Sequence, residues 1–190
     1  MNYSKLKYFS IFLVGIILCA SCNEPEPRKP VSRRTGTFLK QSVIRNKKIL
    51  ATEEGLFKKI IEKDSINTYH ESANGYWYYY NVKDSLETYL PKENDMVLMT
   101  YNIRNLNNDT IYSFKDIGDI HFKIDKENYF PGLRTGIKLL KKGETATFFF
   151  PSSIAYGFYG DKNKIGTNEP LISTIKLIDI LEISKDSLSN

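Results

Sequence analysis

Tyr129-Phe130-Pro131-Gly132-Leu133 begins a stretch that runs to Gly160 and decides how the chain folds. Leu133, Ile137 and Leu140 recur at helical spacing, and Gly143, after Lys141-Lys142, is a natural left-handed stop. Thr145 to Phe150 then alternates, with Ala146, Phe148 and Phe150 on one face of a strand. Pro151 ends that strand and leads into a loop holding Ala155-Tyr156-Gly157. A short helix, an aromatic strand and a tyrosine-bearing loop therefore succeed one another within a few turns of chain.

Working outward, the other periodic segments are mostly strands. Tyr76, Tyr78, Tyr80 and Val82 share one side after the Asn74-Gly75 turn, and Val97, Met99, Tyr101 and Ile103 share another. Asn107-Asn108-Asp109 reads as a turn before a short strand over 110–114, and Ile120, Phe122 and Ile124 alternate with His121 and Lys123. A last strand over 171–183 places Ile175, Leu177, Leu181 and Ile183 together. Five or six mostly antiparallel strands around one short helix make an α+β plan: a twisted antiparallel sheet, or half-barrel, wrapped around that helix. This body spans residues 74–184.

The amino-terminal quarter reads differently. Residues 1–21 begin with Lys5 and Lys7 and continue with an apolar run from Tyr8 to Leu18, too short for a stable membrane span. Small residues Ala20-Ser21 precede Cys22, which resembles a bacterial lipoprotein signal with lipidation at Cys22; the alternative is an ordinary secretory signal. Residues 22–50 start Asn23-Glu24-Pro25-Glu26-Pro27-Arg28-Lys29-Pro30 and read as a proline-rich, polar tether. Residues 51–70 hold a helix opened by Thr52-Glu53-Glu54, with Leu56, Phe57, Ile60 and Ile61 forming a stripe that buries itself on the main body or on a partner.

Composition removes several function classes. Among 190 residues the thirteen tyrosines and eleven phenylalanines fit strands with large aromatic faces. Without Lys5 and Lys7 the net charge of +5 falls to about +3, too mild to argue for nucleic acid. Cys19 and Cys22 both lie at the amino-terminal end, so the body has neither a disulfide nor a thiolate metal site, and His70 and His121 are too few for zinc. No cofactor is implied.

Phe130-Pro131-Gly132-Leu133 with Gly136 before the short helix, Lys142-Gly143-Glu144 after it, and Ala155-Tyr156-Gly157 in the loop stand in an order that resembles the FKBP-type peptidyl-prolyl isomerase family. The resemblance covers about Gly75 to Ile183; with the leader and tether, it is similar to gliding-motility-associated isomerase lipoproteins. It implies a half-barrel with an aromatic pocket between helix and sheet, a proline-containing polypeptide as substrate, and a lipid-anchored place in the bacterial envelope facing the periplasm. By the same resemblance Tyr156, Tyr101 and Phe130 are the catalytic positions. Tyr112, Ser113, Ile120, Leu133, Ile165 and Ser173 line the substrate, the Tyr156 hydroxyl and the Phe130 N–H meet peptide carbonyls, and Ile165 closes the flap. Ser113 stands where the family has aspartate, Leu133 where it has tryptophan, and Ser173 where it has phenylalanine. Those departures leave a second reading open: an FKBP-like binding or chaperone module of an envelope complex, with weak turnover.

Such a pocket has a physical rationale. Rotating a peptide bond breaks amide resonance, a barrier of roughly 18–20 kcal/mol. The twisted state is less polar than either planar form, so a dry aromatic site holds it better than water does.

Overall fold

Alternation of large apolar residues with polar ones is what lets one sheet carry two different faces, and the structure uses both. The structure, a computed structural model, describes residues 36–181; the signal reading of residues 1–21, Cys22 and the proline-rich tether before residue 36 lie outside the described residues. The chain divides into two compact units, residues 1–39 and 40–190, and the sheet belongs entirely to the second.

Helix α1 spans Gly36–Lys63, and the strands are β1 His70–Ser72, β2 Tyr76–Val82, β3 Met96–Tyr101, β4 Ile103–Arg104, β5 Thr110–Tyr112, β6 Ile120–Lys123, β7 Thr145–Phe150 and β8 Leu171–Leu181. Two short helices intervene, α2 Phe114–Ile117 and α3 Pro131–Gly136, the latter continued by a 3₁₀ turn over Ile137–Leu139. The sheet has eight strands in the order β1-β2-β7-β8-β3-β6, with β4 pairing both β8 and β5. Every pairing is antiparallel.

The inner face is the expected one. Val97, Met99, Ile103, Phe122, Ile124, Ala146, Phe148, Phe150, Ile175 and Leu177 are fully buried against Leu133, Ile137 and Leu140 from α3 and its 3₁₀ extension. The helix comes this close because two of its residues lack side chains. A Cβ on Gly132 would lie 2.6 Å from Phe150 Cδ1, and one on Gly136 would lie 3.2 Å from Phe148 Cε1. Gly143, at φ +82°, turns the chain into β7 and donates its N–H to Leu177 O.

The outer face carries a second, smaller core. Phe57 of α1 is fully buried on Phe149 and Trp77, at ring-centroid distances of 5.7 and 5.9 Å. Within this unit the stripe of α1 therefore packs on its own sheet. Leu56, read into that stripe, is 40% exposed, because its Cα turns it off the Phe57 line.

Several local readings change. Residues 36–50, read as loosely ordered tether, continue α1: no proline interrupts them, and Lys, Gln, Arg, Ile and Leu are adequate helix formers. The strand count rises from five or six to eight because β1 holds only three residues, too few to show a period, and the strand read through Tyr101 to Ile103 breaks into β3 and the two-residue β4. Phe114 belongs to α2 and not to a strand, since Ser113 caps that helix. Val82 leaves the row of Tyr76, Tyr78 and Tyr80: a bulge after Tyr80 turns it outward, 55% exposed.

Candidate functional site

Phe130 sits at the middle of the site. It is the residue before α3, in extended conformation, and Pro131 fixes the first helical position so that the chain cannot coil earlier. Its ring lies 6.3 Å from Tyr101 of β3, 5.2 Å from Tyr156 in the 151–170 loop and 5.6 Å from Phe150 of β7, the first and last edge-on. Three segments distant in sequence thus converge on one ring. Among the described residues the Phe130 backbone N–H has no hydrogen-bond partner, which leaves it available to an incoming carbonyl.

Two phenols face that ring. Burial pushes the Tyr101 hydroxyl well above its usual range, and the neighbouring Tyr156 adds to the effect. Burial likewise pushes Tyr156 up to about 12, with the nearby Asp161 charge contributing. Both therefore remain protonated, and able to donate, at any physiological pH.

Leu133 is fully buried beneath this cluster and Ile165 is nearly so, while Ile120 and Tyr112 pack against it half-buried. Tyr156, Tyr101, Phe130, Tyr112, Ile120, Leu133 and Ile165 are accordingly brought together in the principal core.

The remaining two are committed elsewhere. Ser113 forms a capping box with Asp116, accepting the Asp116 N–H at 3.2 Å and donating its hydroxyl to the Asp116 carboxylate at 2.7 Å. Ser173 is fully buried, and its hydroxyl donates to Asn102 O at 2.7 Å. Asn102 also accepts from Thr174 N–H through its side chain, so these residues stitch the break between β3 and β4 onto β8.

Reading the sequence alone misses Asp161. Its carboxylate accepts the Tyr112 hydroxyl at 2.5 Å and the N–H groups of Asn163 and Ile165, both at 2.8 Å. Partial burial works against the charge, but the Tyr112 hydrogen bond and those amides hold the carboxyl below its ordinary range. Asn163 Nδ2 donates to the Tyr112 oxygen at 3.0 Å, and the Lys164 ammonium lies 4.8 Å from the Tyr112 ring centre. One acidic residue thereby ties the β5 wall to the loop that carries both Tyr156 and Ile165. The Asp-x-Asn spacing of Asp161 and Asn163 is a turn signature visible in sequence; its partner Tyr112 is not.

Open grooves also occur apart from this cluster. Two, of about 380 and 270 Å³, run between α1 and the loop, and share Ile49, Glu53 and Asn168. No group of three or more His, Cys, Asp or Glu suited to a metal occurs among the described residues.

An antiparallel sheet curled over a short helix, with a tight aromatic site ringed by two phenols and a free amide, defines a half-barrel domain. Residues 87–178 match the model of the FKBP-type peptidyl-prolyl cis-trans isomerase family, which marks this segment as an FKBP-type domain. The chain is 32% identical over 128 residues to a probable FKBP-type peptidyl-prolyl cis-trans isomerase, FkpA, of Neisseria meningitidis serogroup B, covering 67% of this chain and 44% of that protein. The chain thus spans less than half the length of this relative. The fold is similar to the crystal structure of FkpA from Escherichia coli, with a TM-score of 0.57 and 21% identity over 92% of this chain and 83% of that one. A peptidyl-prolyl cis-trans isomerase of Pseudomonas syringae is similar too, with a TM-score of 0.56 and 20% identity over 72% of this chain and 96% of that one.

Proposed function

We propose that the domain is a peptidyl-prolyl cis-trans isomerase acting on proline-containing polypeptides. The observation that carries this reading is the convergence of Tyr101, Tyr156 and the unpartnered Phe130 N–H on one aromatic site. The prolyl ring enters between Phe130, Tyr101 and Ile165, above Leu133. The Phe130 N–H and the Tyr156 hydroxyl hold carbonyls of the bound peptide, while the twisted, less polar amide is held by ring faces instead of water. The reaction moves no proton and breaks no σ bond, so donors that stay protonated suffice. A protease-coupled assay on a short X-Pro peptide tests this: the domain accelerates the slow phase, and Tyr156→Phe reduces kcat/KM. Acceleration that is absent, or unchanged in Tyr156→Phe, contradicts it.

A second reading, a binding or chaperone module with little turnover, is favoured by Ser113 and Ser173. Both spend their hydroxyls on local structure and give the site neither a carboxylate nor an aromatic wall. Retained peptide affinity without acceleration selects it.

We further propose a lipid anchor at Cys22, with the domain facing the periplasm and serving exported proteins, including those of gliding motility. The support is the leader of residues 1–21, the small residues before Cys22 and the proline-rich tether. Labelled fatty acid on the wild type and its absence from Cys22→Ser is the expected result; label persisting in Cys22→Ser refutes the anchor.

A further inference from the structure

The loop that carries Tyr156 is tied to β5 through Asp161 and, at its start, to α1. Glu53 is 4% exposed and Ser152 is 2% exposed, so neither side chain can turn to solvent. The Glu53 carboxylate accepts the Ser152 backbone N–H at 2.9 Å and the Ser152 hydroxyl at 2.5 Å. Ser152 starts the 3₁₀ turn Ser152–Ile154, whose carbonyls at Pro151 and Ser152 accept the N–H of Ala155, the residue before Tyr156. On the far side, Asn168 donates its N–H to Gly157 O at 2.8 Å. Tyr156 therefore lies between the turn that α1 holds and a bond internal to its own loop.

Glu53 and Phe57 are one helical turn apart and face the same way. Phe57 grips Phe149 and Glu53 grips Ser152, so two consecutive turns of α1 hold the end of β7 and the start of the loop. A buried carboxylate needs compensation for lost hydration, and here the compensation is this loop.

We propose that Glu53 is a positioning residue for the reaction, holding the Tyr156 hydroxyl where it meets the peptide carbonyl. The inference rests on the isomerase reading but has a readout of its own. Glu53 touches no substrate; it acts through Ser152 and the turn. Glu53→Ala removes both contacts, whereas Glu53→Gln keeps them, its oxygen accepting the Ser152 N–H and its amide donating to the Ser152 hydroxyl.

The test is a double-mutant cycle with Tyr156→Phe, on the full chain, read by kcat/KM and by stability. Glu53→Ala lowers kcat/KM about tenfold in the wild-type background, within the roughly hundredfold that a misplacement of about 1 Å can cost. It lowers kcat/KM less than twofold where the Tyr156 hydroxyl is already gone, with the same stability loss in both backgrounds. Glu53→Gln restores most of the rate. Equal rate losses in the two backgrounds, or a rate unaffected by Glu53→Ala, overturn the proposal. The second readout is the ring signals of Tyr156 in a ¹³C-tyrosine-labelled protein, assigned with Tyr156→Phe. They move in Glu53→Ala and, by less, in Ser152→Ala, and stay in place in Glu53→Gln. If Glu53→Ala does not fold, Ser152→Ala carries the test, and unmoved Tyr156 signals refute it. A wild type without turnover refutes the isomerase reading alone, because the ring signals still report whether Glu53 sets Tyr156.

Discussion

Adding one methyl group at Gly132 tests whether the close seat of α3 on the sheet is what shapes the site. The new Cβ would lie 2.6, 2.8 and 2.9 Å from Phe150 Cδ1, Cε1 and Cγ. Real Cβ atoms do not approach that closely, so a ring or the helix must move. Phe150 has no easy escape: it is fully buried, stacked on Phe148 at 5.4 Å, and edge-on to Tyr76 and Phe130 at 5.2 and 5.6 Å. Overpacking of this kind costs about 1–3 kcal/mol. Replacing glycine in a helix returns up to about 1 kcal/mol, and less near the first turn, where Gly132 lies. The net expectation for Gly132→Ala is a loss of about 1–2 kcal/mol, or roughly 2–8 °C in Tm for a body of this size. Gly136→Ala is the internal control. It sits in the same helix, and its Cβ would meet Phe148 Cε1 at 3.2 Å and Ile175 Cδ1 at 3.4 Å. Small adjustments absorb that, so its stability stays within about 1 kcal/mol of wild type. Urea titrations followed by tyrosine and tryptophan fluorescence measure both variants. Gly132→Ala should also lose peptide affinity, because the displaced Phe150 ring bears on Phe130. Equal stability of the two variants would refute the argument, since they share a helix and differ in how hard the methyl group presses.

The same contacts set three further outcomes. Phe57→Ala removes the plug between α1 and Phe149, and a fully buried phenylalanine truncated to alanine costs about 3–5 kcal/mol; a loss below about 1 kcal/mol in a urea titration would show that α1 does not rely on it. Asp161 has a lowered pKa in the folded state, so its contribution is present above the ordinary carboxylate pKa of 3.8 and disappears as pH falls through the folded value. The protection of the Ile165 and Asn163 amides, measured against their intrinsic exchange rates, should therefore fall below that range in wild type, and Asp161→Asn should show the lower protection already at neutral pH. Tyr156 titrates from a raised value of about 12 against 10.0 when free, so its share of stability is complete below about pH 10 and is lost as pH rises toward 12. The pH–rate profile should be flat from neutrality to about pH 10; a fall between pH 7 and 9 would mean that some other group controls the site.

How much of the site is legible in the sequence depends on how far apart its partners lie. Leu133, Ile137, Leu140, Gly143, Ala146, Phe148 and Phe150 lie close together in the chain, and their spacing alone declares a helix seated on a strand. Tyr156 and Phe130 are legible through the motifs around them. The Tyr112–Asp161 hydrogen bond joins residues 49 apart and the Glu53–Ser152 contact joins residues 99 apart, and no periodicity marks either. Glu53 in particular looks like any acidic residue near a helix start until the loop is seen to close over it. Ser113 is a different case. Ser113-x-x-Asp116 is a capping-box pattern open to direct reading, and it places α2 where a strand residue was expected.

Ser113 and Asp161 divide the polar contacts beside Tyr112. An acid at position 113 would sit on the β5 wall, fixed to the sheet. Here the serine at that position caps α2, and the acid beside the site is supplied instead by the loop, where Asp161 takes the Tyr112 hydroxyl and orders the turn up to Ile165. The acceptor therefore moves with Tyr156 and Ile165, because all three ride on the same segment between Pro151 and Pro170. With the acid on the loop, any shift of the loop at Asp161 breaks the Tyr112 bond as well. The same loop is held from behind by α1 through Ser152. The loop that carries Tyr156 is thus tied by two carboxylates, Asp161 to β5 and Glu53 to α1.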